Sequence, residues 1–376
     1  MTVTTVFHCS DLHFGHPAVP EQYEAIEALI QERKYDVVAI SGDVSQRSRA
    51  GEFQRAREFI KKAEAASRTI VVPGNHDVAW WLSPLGFGDT KAMFARYRAY
   101  ISNDLEPVLR IAGATLVGLN TSQGWSMDTL TWNVRDISIL GHLSRAQIEH
   151  ARAEFEQSRT ADARIIVMHH NPVKGELSQR HGLKNTQRIL GAFATMGVDL
   201  VLCGHDHDYE RSYPVRGCNH HKGTDIATGH PVDTLQPKPV MSAISAGAST
   251  FDTSQGTIHL ILGGGGTSAP LDVYGVDAGT GLPQARIFTR PNRPVPGTTA
   301  GTFVRASADA VEDAIWSAQR DTGTGYGIAV FDHDPGHAGG ETTITMNYYH
   351  APGADQTPTA NYELFETIEL KKKRKR

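Results

Sequence analysis

An α/β fold with helices packed over a sheet is predicted by two features of the first 209 residues. Short β-branched runs alternate with amphipathic helical patterns, and each run ends on polar residues. Strands are expected over Val3–Cys9, Asp36–Ser41, Thr69–Val72, Thr115–Leu119, Arg164–Met168 and Asp199–Cys203. Between them, Pro20–Lys34 reads as a helix: Pro stands at its start, and Tyr23, Ile26, Leu29 and Ile30 share one face. Gly51–Ala66, Lys91–Ile101, Ser144–Ser158 and Asn185–Met196 have the same character, with Ser144 and Gln147 spaced as a capping box.

After Tyr209 the texture changes. Gly, Pro, Thr and Asp become frequent, and helical periodicity persists only over Ala308–Gln319. Further strands are expected at Thr257–Leu262, Tyr326–Asp332 and Glu341–Tyr349, while Gly263–Pro296 reads as long irregular loop. The run Gly263–Gly266 follows a strand but lacks the Lys-Ser/Thr of a P-loop and the GxGxxG context, so it reads as a backbone turn. The chain thus divides into a core over 1–262, an insertion of irregular loops and one helix over 263–325, strands over 326–370 that complete the core sheet, and a basic tail over 371–376.

A chain of 376 residues, 40% hydrophobic, can bury a substantial core. The net charge of −4 calls for neither nucleic acid nor a membrane surface as the main partner. Lys371–Arg376 carries six positive charges and is expected to be a solvated end, with the rest of the chain near −10. Cys9, Cys203 and Cys218 show no CxxC spacing and read as reduced thiols. No signal-like leader precedes Asp11, and no run approaches the roughly 18 apolar residues of a membrane-spanning helix, so a cytoplasmic protein is expected.

The chemistry is carried by polar clusters directly after the predicted strands: Asp11-Leu12-His13, Gly42-Asp43, Gly74-Asn75-His76-Asp77, His169-His170 and Gly204-His205-Asp206-His207. In open α/β sheets the carboxyl ends of strands are where ligands gather, so segments far apart in sequence can meet there. Singly these clusters are ordinary turn or cap residues. Together, in this order, they assemble carboxylate, imidazole and amide oxygen without thiolate, a donor set suited to Fe, Mn, Zn or Co. Seven such ligands would be too many for one ion and suit two, with one carboxylate shared.

The motif order DxH, GD, GNHD, H, GHxH, from Val3 to Tyr209, resembles the calcineurin-like metallophosphoesterases. That resemblance implies a four-layer α-β-β-α sandwich with two mixed β-sheets. It also implies two divalent or trivalent ions per chain and hydrolysis of a phosphomonoester or phosphodiester by a hydroxide bridging them. By the same resemblance Asp11, His13, Asp43 and His207 hold one ion, and Asp43, Asn75, His169 and His205 the other. His76 is the acid–base residue that protonates the leaving alkoxide, with Asp77 as a candidate to orient its ring. Two subgroups compete. Gly141-His142-Leu143-Ser144 with Gln147, and the His-His pair before Pro172, look like class III cyclic-nucleotide phosphodiesterases. Gly204–Ser212 looks like purple acid phosphatases, but Gln46 stands where that group has its Tyr ligand, and His13 is a residue it lacks.

His170 and Arg211 are candidate contacts to a small phosphoester substrate, and Trp80-Trp81 a candidate pocket wall. The loops Trp80–Asp89, Gln123–Asp136 and Gly175–Gly182 are expected to shape the pocket. His220-His221, near Cys218, read as an exposed pair in a Gly217–Gly223 loop rather than as a further metal site. Two other classes compete with the enzyme: a catalytically silent scaffold with the same fold, and a nuclease. The first would be expected to have lost ligands, whereas every motif position is filled; the second calls for a basic stripe that only the tail supplies.

Overall fold

The computed structural model describes residues 3–78, 93–122, 140–158, 162–174, 183, 185–225, 231–244, 247–268, 274–276, 279, 283–287, 293–294, 303–304, 310–336, 341–354 and 361–373. The loops 80–89, 123–136 and 175–182, with Trp80 and Trp81, lie outside these residues.

The first half runs β1 (Thr4–Cys9), α1 (Pro20–Arg33), β2 (Val37–Ile40), α2 (Ala50–Ala66), β3 (Arg68–Val71), α3 (Ala95–Tyr100), β4 (Val108–Ile111), β5 (Ala114–Leu119), α4 (Arg145–Glu156), β6 (Ala163–Met168), α5 (Thr186–Met196), β7 (Leu200–Cys203) and β8 (Tyr209–Ser212). Two seven-stranded sheets result. The first is ordered Thr250–Asp252, Glu363–Lys373, Glu341–His350, Gly327–Asp334, β1, β2, β3; the second Ser317–Arg320, β8, Ile258–Leu262, β7, β6, β5, β4. In both, parallel pairs from the βα repeats (β1 with β2, β2 with β3, β5 with β6, β6 with β7) continue into antiparallel strands at one or both sides.

Strand alternation makes the layers. In β1, β2, β6 and β7 one face (Val6, Val37, Ala39, Ile165, Val167, Leu200, Leu202) packs between the sheets with Phe331, Met346 and Ile368. The opposite face of the first sheet (Phe7, Cys9, Val38, Ile40) meets Ile26 and Ile30 of α1 and Phe53 and Phe59 of α2. The opposite face of the second (Ile166, Met168, Val201, Cys203) meets Ile148 and Phe155 of α4 and Ile189 and Phe193 of α5. The fold is therefore a four-layer α-β-β-α sandwich with two mixed sheets. Ser144 caps α4 as its spacing predicts, its hydroxyl accepting from the Gln147 N–H while the Gln147 side chain accepts from the Ser144 N–H.

Three expectations are corrected. The stretch read as a helix at Ala308–Gln319 forms strands Ala310–Asp313 and Ser317–Arg320 on either side of a turn that buries Trp316 beside Val173, Leu190, Val215 and Ala314. The Gly217–Gly223 stretch is not a loop: it lies inside strand Val215–Asp225, where His220 pairs in register with Leu235. With Pro231–Pro239, Tyr274–Val276, Pro283–Ile287 and Ala310–Asp313 it makes a separate five-stranded antiparallel sheet, so the 263–325 insertion is partly regular. Finally, Lys371–Lys373 extends the strand Glu363–Lys373 rather than a solvated tail. Lys372 Nζ is 2.8 Å from the carboxylate of buried Asp199 and donates to the Asp162 carbonyl at 3.3 Å.

No described helix is long and apolar enough to cross a membrane. Cys9, Cys203 and Cys218 are all unpaired.

His259, in the strand Ile258–Leu262, is buried with its ring over Phe193, and neither ring nitrogen has a hydrogen-bond partner among the described residues. Burial holds its pKa at about 3, against 6.5 ordinarily. The unfolded chain therefore takes up a proton near pH 6.5 that the folded chain refuses until about 3, so this residue's contribution to stability is complete above 6.5 and falls as pH drops. By pH 5 the loss should be on the order of 2 kcal/mol. Urea denaturation at pH 7 and pH 5 should show a smaller drop for His259→Leu than for the parent; equal drops would refute the assignment.

Candidate metal centre

The predicted ligands come from both sheets and meet at the carboxyl ends of their parallel strands. Asp11 and His13 follow β1, Asp43 follows β2, Asn75 follows β3, His169 follows β6, and His205 and His207 follow β7. Asp11, His13, Asp43 and His205 all adopt left-handed backbone conformations, with φ of 56°, 48°, 48° and 70°. Non-glycine residues in that region cost energy, and several together mark a segment bent by its surroundings to aim side chains. The bends are held by backbone bonds between strand exits: the Asp11 N–H donates to Gly42 O, His13 N–H to Asp43 O, and Gly204 N–H to His169 O.

Two groups of donor atoms result. In the first, Asp11 Oδ1 lies 3.5 Å from His13 Nε2 and 3.4 Å from His207 Nε2, and the two imidazole nitrogens are 3.0 Å apart. In the second, Asn75 Oδ1 lies 3.0 Å from His169 Nε2 and 2.9 Å from His205 Nδ1. Asp43 Oδ2 stands between the groups, 3.6 Å from His13 Nε2 and 3.3 Å from His169 Nε2. Each carboxylate has one oxygen engaged by a backbone donor: Asp11 Oδ2 accepts from the His205 N–H and Asp43 Oδ1 from the His76 N–H. The other oxygens, Asp11 Oδ1 and Asp43 Oδ2, are fully buried with no hydrogen-bond partner among the described residues.

A buried carboxylate oxygen without a donor is costly, and two of them facing imidazole nitrogens are what a cation site requires. This donor set fits metal ions of the borderline class. The tautomers agree. His169 Nδ1 donates to the Ser41 carbonyl at 2.9 Å, which turns the lone pair of Nε2 toward Asp43 and Asn75. His207 Nδ1 is 2.8 Å from the Thr267 hydroxyl, leaving its Nε2 toward Asp11 and His13.

The field of the cluster sorts the imidazoles. Burial pushes His13 down to about 4, against the nearby carboxylates of Asp11 and Asp43. Burial also holds His205 well below the ordinary value, aided by the neighbouring imidazoles of His170 and His169. For His169 burial acts downward too, but Asp43 and Asp11 outweigh it and raise the ring to about 9. His207 is likewise raised against burial, chiefly by the Asp11 carboxylate 3.4 Å away. For Asp43 burial acts upward, yet His169 and His76 hold it well below the usual carboxylate range.

His76 sits beside the first group with its ring edge-on to His13, centroids 4.8 Å apart, and its Nδ1 donates to the Gln46 carbonyl at 2.6 Å. It also falls within one candidate metal group, with His13 and Asp43. Asp77 does not orient that ring. Its carboxylate instead accepts from the Gly74, Val44 and Ser45 N–H groups and the Ser45 hydroxyl, tying the β2 and β3 exits together. Burial and the charge of Asp43 raise Asp77 to about 6.

His170 is buried against His205, ring centroids 4.5 Å apart, with Nδ1 2.8 Å from the Thr121 hydroxyl. Arg211 is corrected as a substrate contact. It is 3% exposed, forms a two-pronged pair with Glu366 (3.0 and 2.6 Å), and lies 5.0 Å over Phe251, so its guanidinium is committed between the sheets. Three groups that hold the imidazole rings of the site carried no signal in the sequence. Two, at Ser41 and Gln46, are main-chain carbonyls, and the third, the Thr267 hydroxyl, arrives behind the Gly263–Gly266 run.

Two glycines are required by close approach. A Cβ on Gly74 would stand 2.1 Å from Asp43 Oδ1, and one on Gly204 would stand 2.0 Å from Ser10 Oγ and 2.2 Å from Asp11 Oδ2. Gly74→Ala should therefore fold yet lose metal affinity by about tenfold or more, a loss of the size seen when groups supporting ligands are disturbed. Equilibrium dialysis with Mn or Zn followed by elemental analysis would show it; parental affinity in the variant would count against a site at Asp43.

Among known proteins, the sequence model described as calcineurin-like phosphoesterase matches residues 4–209. The uncharacterized protein Rv2577 of Mycobacterium tuberculosis is 36% identical over 215 residues, which is 56% of this chain and 35% of that protein; a second uncharacterized protein of another strain, MT2654, matches identically. The chain thus spans about a third of the length of these relatives. The fold is similar to that of purple acid phosphatase PPD1 from yellow lupin, with a TM-score of 0.59 at 12% identity over 99% of this chain and 54% of that one. PhoD gives 0.58 at 10% identity, covering 99% and 70%. GAP50, described as the anchor in the inner membrane complex of Plasmodium, gives 0.51 at 11% identity, covering 100% and 90%. At these identities the structures speak for the fold alone, whereas the family match covers more than half the chain and takes in every strand-end motif: the chain belongs to the calcineurin-like phosphoesterase family.

Proposed function

We propose that this chain hydrolyses phosphomonoester or phosphodiester bonds of a small substrate with two metal ions bound at the strand ends. The observation that carries this reading is the pair of buried carboxylate oxygens, Asp11 Oδ1 and Asp43 Oδ2, that no hydrogen-bond donor among the described residues reaches. Asp11, His13, Asp43 and His207 would hold one ion, and Asp43, Asn75, His169 and His205 the other, drawn from Fe, Mn, Zn or Co. The bound ions would supply Lewis acidity toward the phosphoryl oxygens and an attacking water.

The chain's own residues supply orientation and a proton. Ser41, Thr267 and the Asp77-tied turn fix the ligand rings and carboxylates before substrate arrives, so little reorganisation is left for the reaction. As the P–O bond breaks, the leaving oxygen must take a proton. His76, with Nδ1 bound to Gln46 O, keeps its other ring nitrogen free of that bond and would carry the proton there. His170 would brace His205, through their ring contact, rather than touch substrate.

A second reading is favoured by one observation: GAP50, named as an anchor, shares this fold, so the architecture alone does not entail catalysis. The filled donor set argues for the enzyme. Elemental analysis should find about two ions per chain, in line with a dinuclear site, and the loaded protein should turn over p-nitrophenyl phosphate or bis-p-nitrophenyl phosphate. His76→Ala should keep both ions and lose on the order of 10²-fold or more in turnover, most on poor leaving groups. Metal loss in that variant would make His76 a ligand; well-folded parent protein with neither metal nor turnover would establish the scaffold reading.

A further inference from the structure

One charged pair beside the metal centre has no part in holding its ligands. Lys174 Nζ lies 2.7 Å from each carboxylate oxygen of Asp206, the residue between His205 and His207. The pair is neither buried nor free in solvent: the side chains are 16% and 15% exposed. An ammonium group has three hydrogens, and two suffice for the carboxylate, so one remains for another acceptor.

The loop that presents Lys174 is built to hold it still. It leaves β6 directly after His169 and His170, and the buried Asn171 closes it: Asn171 Oδ1 accepts from the Val173 N–H at 2.8 Å, and its amide donates back to Val173 O at 3.4 Å. Val173 is fully buried with Leu190, Val215, Ala314 and Trp316, which fastens the loop to α5 and to the strands around the five-stranded sheet. A surface lysine needs no such foundation. A lysine that must meet an anion at a fixed place does, because ordering its long stem in advance lowers the entropy lost on binding.

Resting on the phosphoesterase reading, we propose that Lys174 contacts a phosphoryl oxygen of the substrate and that Asp206 holds its ammonium in place for that contact. This gives Lys174 the role that the sequence alone assigned to Arg211, whose guanidinium is taken by Glu366. A compact ammonium suits the task, since it can turn a free N–H toward phosphate without leaving its carboxylate.

The test uses inorganic phosphate as probe on the metal-loaded full chain, with binding followed by calorimetry and metal content read separately. Lys174→Met should keep the ions and weaken phosphate binding by about tenfold or more, the scale of one charge-assisted hydrogen bond. Asp206→Asn should act in the opposite sense and tighten binding by a few-fold, because the amide oxygen still accepts from the ammonium while the negative charge that repels phosphate is gone. A pair that only stabilises the loop predicts changes of one sign, so parallel weakening in both variants overturns the proposal, as does unchanged affinity in Lys174→Met. A parent chain that takes up metal while its phosphate affinity ignores Lys174 overturns this assignment alone; one that takes up no metal overturns the site reading with it.

Discussion

The structure depends on two buried carboxylates. Asp11 and Asp43 sit at the exits of adjacent parallel strands with no exposed surface, each with one oxygen bound by a backbone N–H and the other facing imidazoles. Burying a charge is costly unless it is paired, and the pairing here crosses the molecule. Asp11 belongs to the first sheet, yet its backbone donor is His205, from the second. The centre is therefore also a clasp between the sheets at that end of the sandwich. The left-handed turns at Asp11, His13, Asp43 and His205 and the glycines at 74 and 204 follow from it, since carboxylates this close to a neighbouring backbone leave no room for a Cβ.

The same crowding accounts for the distant segments recruited to the site. Gly263–Gly266 passes so close to the exit of β1 that a Cβ at Gly265 or Gly266 would stand 2.3 Å from Ser10 O or 2.2 Å from Leu12 O. A chain with side chains there would be pushed outward, and Thr267 with it. Because the run is bare backbone, Gly265 can donate to Ser10 O, and the Thr267 hydroxyl reaches His207. The glycine run that reads as a plain turn in the sequence is thus a spacer that delivers a support for the candidate ligand His207.

The βα half of the fold was legible because its strands are buried on both faces and its helices on one, so each leaves a hydrophobic period in the sequence. The convergence of the candidate ligands was legible for a related reason: polar clusters that recur directly after one apolar strand after another place their side chains at a common sheet edge, where they can meet. What stayed hidden was polar sequence whose partners are far along the chain. Strand β8 carries Glu210 and Arg211, and nothing local shows that Arg211 pairs with Glu366 in the Glu363–Lys373 strand. That strand ends in three lysines, which look like a solvated tail until Lys372 is seen to reach Asp199. Ala308–Gln319 misled in a different way. Its Ala, Glu and Gln content favours helix, but burial of Trp316 in the cluster around Val173 and pairing with β8 and Val215–Asp225 outweigh local propensity.

The charge pattern of the centre makes the last link from fold to chemistry. Two carboxylates held ionised in a buried site create a field that favours any cation, and in the protein alone that field acts on protons, raising His169 and His207. Burial acts in the opposite direction on His13 and His205 and leaves them neutral, the form in which imidazole ligates. Metal uptake at the Asn75 group would then displace a proton from His169, because Nδ1 is already committed to Ser41 O and only Nε2 can change its state. A site whose rings are fixed by carbonyls and hydroxyls has therefore settled which atom each imidazole offers, and what it still exchanges is charge.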